Sequence, residues 1–130
     1  MNSRVSRLLL AASAAICAFG SVMHAVAYVA KARASIVSSN LSPLLAAEFK
    51  ALWLADSTTL MTLAVIFGFI AVKPAPANKM LTLLLAIVPA AIAALLYAYL
   101  GAFYAGHMLL AASAMVIVAG AIMPGPQWRS

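Results

Sequence analysis

The chain has 130 residues, of which 67% are apolar and only 8% charged, with a formal net charge of +6. Soluble domains have roughly 45–50% apolar and about 25% charged residues, so this composition predicts an integral membrane protein. The eight Lys and Arg are dispersed instead of forming the dense basic cluster that binds a phosphate backbone, so we expect the lipid bilayer as partner and no nucleic acid. Spans of about 20 residues account for nearly the whole length, which predicts a single transmembrane domain over residues 1–130.

The first apolar run covers residues 8–30 and is flanked by basic residues on both sides. Its length suits one membrane span. A cleaved signal peptide is the alternative, because a basic start and an apolar core precede a small-residue motif at 25–27. The apolar run continues past that motif to Ala30, which favours a span that is retained. Cys17 lies within this run and is the only cysteine, so no intramolecular disulfide can form.

The second helix is predicted to begin at Ser42 and Pro43, since serine caps free backbone N–H groups and proline suits the first helical position. Its apolar part spans about residues 51–72, which leaves 31–50 as the loop between the first two spans. The proline-rich segment 73–79 then forms a short turn, because prolines cannot continue a helix and lysines prefer the membrane interface.

Two further spans follow, at about residues 80–100 and 106–123. Pro89 is expected to bend the first of them, and Gly101 marks the turn between the two. Pro124 ends the second. The sequence therefore predicts an all-α integral membrane protein, a four-helix transmembrane bundle with up-down-up-down topology.

Four spans place both termini on one side of the membrane, and cytoplasmic loops carry an excess of Lys and Arg. Five of these residues lie on the side of the termini and three on the opposite side. The imbalance predicts a plasma (inner) membrane protein with both termini in the cytoplasm. The basic residues on the terminal side are Arg4, Arg7, Lys73, Lys79 and Arg129, and those opposite are Lys31, Arg33 and Lys50.

An acidic residue at the centre of a span is unfavourable by about 2.5–3.5 kcal/mol, so Asp56 needs a polar partner. Asp56 follows Lys50 by six residues, and His24 precedes Lys31 by seven. At about 1.5 Å per residue, both lie roughly 9–10 Å inside the same membrane boundary. His107 is at the start of the fourth span, at the same end. We therefore predict a polar site near the non-cytoplasmic face, built on His24, Asp56 and His107.

Residues three or four apart share one face of a helix. One polar stripe with this spacing runs from Ser13 to Tyr28 in the first span, and another joins Asp56, Thr59 and Thr62. Such stripes are expected to face other helices, because lipid offers polar atoms no partners. The residues predicted to support the site are Glu48, Tyr28, Trp53, Tyr97, Tyr104 and Thr59.

The favoured functional interpretation is a structural or accessory subunit, in which the polar cluster fixes helix register within a homo-oligomer or a larger membrane complex. The first alternative is an acid–base enzyme of the isomerase or cyclase type that acts on a lipid or isoprenoid. Asp56 would then be the acid or base, and His24 and His107 would relay protons or orient it.

The second alternative is cofactor binding, since His24 and His107 on facing helices suit the axial positions of haem b. Together with Asp56 they also match a His/His/carboxylate metal site. A proton-coupled transporter is a weaker alternative. Small four-span exporters carry their essential acid in the first span, and this span has none.

Overall fold

The computed structural model describes residues 2–73 and 78–123, and this part of the chain is helical almost throughout. A single π-helical turn, Tyr28–Ala32, joins the first two helices without a break. The predicted turn at 73–79 lies partly outside the described residues, and the predicted stop at Pro124 and the basic Arg129 lie wholly outside them. The helices are α1 (Asn2–Ala27), α2 (Arg33–Ser38), α3 (Pro43–Val72), α4 (Asn78–Leu85), α5 (Ile87–Leu100) and α6 (Tyr104–Ile122).

Within residues 2–73 and 78–123, four helical segments are long and apolar enough to cross a membrane. The all-α prediction is confirmed, and four such segments are what the apolar runs predicted. The segments are Arg4–Ser38, Pro43–Val72, Lys79–Leu100 and Tyr104–Ile122.

The connection between the first two segments is shorter than the predicted loop over 31–50, because the chain stays helical through Ser38. Lysine and arginine are good helix formers, so the basic residues at the end of the first apolar run do not stop the helix. The helix ends at Ser39, whose backbone is extended and whose hydroxyl donates to the Ile36 carbonyl at 2.6 Å. The predicted cap of α3 is present, since the Ser42 hydroxyl accepts from the Leu45 N–H at 3.3 Å.

The third segment is interrupted at Ala86, between α4 and α5. Pro89 has no N–H to offer the carbonyl of Leu85, and its ring crowds that carbonyl, so the interruption falls where proline chemistry predicts it. The Ser113 hydroxyl of α6 donates to the Ala86 carbonyl at 2.8 Å. At the other end of α5, Gly101 has a positive φ of 69°, a conformation that glycine adopts without strain, and it turns the chain toward α6.

The main core lies between α1, α3 and α6. Helix α1 packs against α3 and α6, and α6 also packs against α4 and α5. Phe67, Leu10 and Val116 are fully buried in this core. On its other side, α6 leaves room for a side chain of α4, because a Cβ on Gly120 would lie 2.9 Å from a methyl carbon of Leu83.

Serine hydroxyls in this core bond to backbone carbonyls of the neighbouring helix. Ser6 donates to the Ala119 carbonyl at 3.0 Å, and Ser13 donates to the Ala112 carbonyl at 3.1 Å. Both serines are buried. We call the region built on Ser6, Ser13, Phe67 and Ser113 the closed end of the molecule.

Large apolar side chains cover the outside of the helices. Leu8 is 70% exposed, Val65 65% and Phe69 60%. Water-soluble monomers rarely expose a contiguous apolar surface of this extent, whereas lipid tails solvate it. The outer surface therefore agrees with the membrane location that the composition predicts.

Candidate functional site

A cavity of about 370 Å³ lies between α1, α3, α5 and α6, toward the end of the molecule opposite the closed end. Its wall is mostly apolar and includes both aromatic rings and methionine side chains. Four residues give it polar character, namely His24, Trp53, Asp56 and Tyr104. We call this cavity the open end. Its polar wall consists of these four residues, and Ser57 is hydrogen-bonded to His24 outside the cavity. Its apolar lining includes Phe19, Met23, Leu60, Phe103, Met108 and Leu109.

His24 and Asp56 meet at the open end, as the sequence predicts. The distance from His24 Nε2 to Asp56 Oδ2 is 3.6 Å, and the two side chains are 29% and 34% exposed. This distance suits an ion pair but is too long for a hydrogen bond. The carboxylate accepts no hydrogen bond from any residue that the structure describes, so its oxygen atoms keep their acceptor capacity.

Ser57 holds the other side of the imidazole. The Ser57 hydroxyl and His24 Nδ1 are 3.0 Å apart. When the hydroxyl donates to Nδ1, the ring proton is on Nε2 and faces the Asp56 carboxylate. Ser57 itself is buried and does not line the cavity. It therefore orients His24 and does not contact a molecule in the cavity.

Trp53 fixes the imidazole plane. Its ring stacks on that of His24 with 4.6 Å between centroids and 15° between planes, and its indole N–H donates to the His24 carbonyl at 2.9 Å. Trp53, Asp56 and Ser57 come from one turn of α3, so a single helical turn supplies the stacking ring, the carboxylate and the hydroxyl. Ser21 also ties α1 to this turn, since its hydroxyl donates to the Ser57 carbonyl at 2.7 Å.

His107 lies at the same end of the molecule but outside this arrangement. It is exposed and does not line the cavity, although its neighbour Met108 does. Its Nδ1 pairs with the Tyr97 hydroxyl, and the two rings have centroids 5.4 Å apart. The structure thus brings together two of the three predicted site residues and gives the third a separate partner, which was itself predicted as a supporting residue.

The other supporting residues divide into two groups. Tyr28 lies in the π-helical turn, where its ring approaches that of Trp53 with a centroid distance of 6.3 Å, and Tyr104 lines the cavity. Glu48 and Thr59 are exposed. The Thr59 hydroxyl donates to the Ala55 carbonyl of its own helix at 2.8 Å.

The expected inward stripe of Asp56, Thr59 and Thr62 therefore does not form. Both threonines bond to carbonyls of their own helix, which removes any need for a neighbouring helix. Ser57 is the polar residue that faces α1, and sequence reasoning missed it. The signal is the regular spacing of the apolar face of α3, because Ser57 precedes the buried Leu60, Ala64 and Phe67 at intervals of three and four.

The arrangement of His24, Asp56 and His107 differs from that of a haem or metal centre. The described residues contain no group of three His, Cys, Asp or Glu side chains able to hold a metal ion. His24 uses one ring nitrogen on Ser57 and turns the other toward Asp56, while His107 pairs outside the cavity. Axial ligation by both histidines requires the two rings to face one space, which this arrangement does not provide.

Among the described residues, the polar wall of the open end carries one carboxylate and no lysine or arginine. With the carboxylate charged, the wall has a charge of −1 when His24 is neutral and zero when His24 is protonated. Comparison with known protein families, with curated proteins and with solved structures finds no match.

Proposed function

We propose that this chain is an integral membrane protein of four spans that holds a lipid-like molecule in the cavity at its open end. The observation that carries the proposal is an apolar cavity of about 370 Å³ into which Asp56 projects a carboxylate without a hydrogen-bond donor. Ligand cavities typically have volumes of about 300–1,000 Å³ and combine apolar walls with a few polar groups. A polar group inside a membrane needs a partner, and an amphipathic molecule supplies one.

The proposed topology is up-down-up-down, in the plasma (inner) membrane and with both termini in the cytoplasm. Ser6 bonds to Ala119 and Ser13 bonds to Ala112, so α1 and α6 pack antiparallel to each other. The excess of Lys and Arg on the side of the termini supports the orientation. In this topology the cavity lies near the non-cytoplasmic face and is within reach of molecules that diffuse in the outer leaflet.

A purely structural role would use polar side chains to fasten helices. The serines at the closed end do only this, whereas His24 at the open end both bonds to Ser57 and lines a cavity together with Asp56. Assembly into a homo-oligomer or a larger membrane complex is compatible with ligand binding and remains a prediction.

The test is native mass spectrometry with lipid extraction on protein purified in a mild neutral detergent. Ala105 lines the cavity, and Ala105→Phe fills part of it. Ala111→Phe is the matched control, because Ala111 is exposed on the same helix. We expect wild type and Ala111→Phe to retain the same amphipathic molecule and Ala105→Phe to lose it. Identical bound lipids in all three proteins would contradict the proposal.

Acid–base catalysis on such a molecule is the second candidate, because His24 and Asp56 place a proton donor and a proton acceptor beside the cavity. An isomerase or cyclase requires such a pair next to an apolar substrate. Lipid extracts of cells that express wild type or Asp56→Asn test it. Catalysis predicts a product that accumulates only with wild type. If the extracts are identical and Asp56→Asn still binds the molecule, the protein binds it without catalysis.

A further inference from the structure

The charge and hydrogen-bonding capacity of the cavity wall identify the head group of the molecule. We propose that the cavity takes an amphipathic molecule whose head is an ammonium group, held by Asp56 and by the aromatic rings of the wall. This inference rests on the proposed binding function and adds the chemical class of the ligand.

The first argument is charge. In the part of the chain that the structure describes, Asp56 is the only acid in the wall, and no lysine or arginine lines the cavity. A charged carboxylate gives the wall a charge of −1 or zero, depending on His24, and neither state attracts an anion. Phosphate, sulfate and carboxylate heads would therefore meet repulsion or no compensation in a low-dielectric site, whereas an ammonium head would be attracted.

The second argument is the unused acceptor capacity of Asp56. Its contact with His24 is 3.6 Å, and no described residue donates a hydrogen bond to it. An ammonium group carries donors as well as a positive charge, and charge-assisted hydrogen bonds are about twice as strong as neutral ones. A hydroxyl head would donate to the same Asp56 oxygen atom but carries no positive charge. Comparing an ammonium probe with an alcohol therefore measures the contribution of the positive charge to binding.

The third argument is the aromatic content of the wall. Trp53, Phe103 and Tyr104 all line the cavity, and the rings of Phe103 and Tyr104 lie 4.5 Å apart at 57°. Aromatic faces attract ammonium groups, by about 2 kcal/mol or more when both are removed from water. The thioether of Met108 and the side chains of Leu60 and Leu109 provide the apolar surroundings for an alkyl chain.

The experiment titrates three probes with the same ten-carbon chain, namely decylammonium, decanol and decyl sulfate. The protein is in neutral detergent at pH 8. Trp53 fluorescence reports binding in a Trp128→Phe background, because these are the only two tryptophans. We expect decylammonium to bind about tenfold tighter than decanol, and decyl sulfate to bind weakest.

Asp56→Asn is expected to remove the preference for decylammonium over decanol, because the amide oxygen accepts from either head but carries no charge. Asp56→Glu is expected to retain that preference. Melting temperatures of both variants confirm that they are folded. Equal binding of the three probes, or a preference for decyl sulfate, would overturn the ammonium inference. If the three probes bind wild type equally and Ala105→Phe binds none of them, the wild-type cavity still binds amphipathic molecules, and the proposed function stands. If no probe binds saturably, or Ala105→Phe changes nothing, the proposed function fails as well.

Discussion

The closed end and the open end of this protein use the same kinds of polar side chain in different ways. At the closed end, Ser6 and Ser13 donate to backbone carbonyls of another helix and are buried. At the open end, Ser57 pairs with a side chain, His24, and that side chain faces Asp56 across 3.6 Å. Polar groups at the closed end are therefore fully satisfied by the fold, whereas the carboxylate at the open end is not. The difference separates residues that hold the helices together from residues that are available to a ligand.

The largest effect is expected from removing the central ring of the closed end. Phe67 is fully buried, so Phe67→Ala leaves a cavity that the neighbouring helices cannot fill, and we expect a loss of about 3–5 kcal/mol in the free energy of unfolding. Phe69→Ala is the control, because Phe69 is 60% exposed two residues further along α3. Unfolding in mixed micelles measures both. Equal losses would show that the closed end is not the packed core described here.

A matched pair of serine substitutions compares the two ends directly. Ser113→Ala removes the hydroxyl that covers the Ala86 carbonyl at the helix interruption, and we expect a loss of about 0.6–1.7 kcal/mol. Ser57→Ala removes a side-chain partner of His24 and should cost less stability but weaken probe binding, because the imidazole loses its orientation. Unfolding and probe titration are measured on both variants. Weakened binding in Ser113→Ala alone would reverse the comparison.

Asp56→Asn is expected to leave the free energy of unfolding within about 0.5 kcal/mol of wild type, or to raise it. The carboxylate lacks a hydrogen-bond donor in the described structure, and a charged group in a membrane is more unfavourable than an amide. The same unfolding assay measures it. A loss comparable to that of Ser113→Ala would assign Asp56 to the structural residues.

The smallest effect is expected at Thr59, whose side chain is exposed and bonds to its own helix. Thr59→Val keeps the shape of the side chain, so stability and probe binding should both change by less than about 0.5 kcal/mol. A clear loss of binding would place Thr59 in the site, as its spacing from Asp56 first indicated.

The number and type of helices could be predicted because apolar runs of this length have one stable form in lipid. The inward stripe of the first span also agrees with the structure, since Ser13, Cys17 and Ser21 are buried. Serine and cysteine at that spacing lie between large exposed residues such as Phe19, so the buried face is well defined. The meeting of His24 and Asp56 was predicted from their common depth and from the polar stripe that contains each of them.

The direction in which a residue faces around its helix was harder to predict. His107 lies at the predicted level but faces outward, because depth fixes the position along a helix and not around it. Ser57 was missed because the threonine spacing suggested a different inward face of α3.

The most direct test of the account is photolabelling of the full chain in liposomes with an alkyl diazirine that carries an ammonium head. Mass spectrometry then compares labels on Leu60 and Met108, which line the cavity, with labels on Val65 and Val118, which are exposed on the outside. We expect labels at both sets, and we expect excess decylammonium to remove only those at Leu60 and Met108. Labels confined to the outer surface, or competed equally at all four residues, would contradict binding of an ammonium head in the cavity.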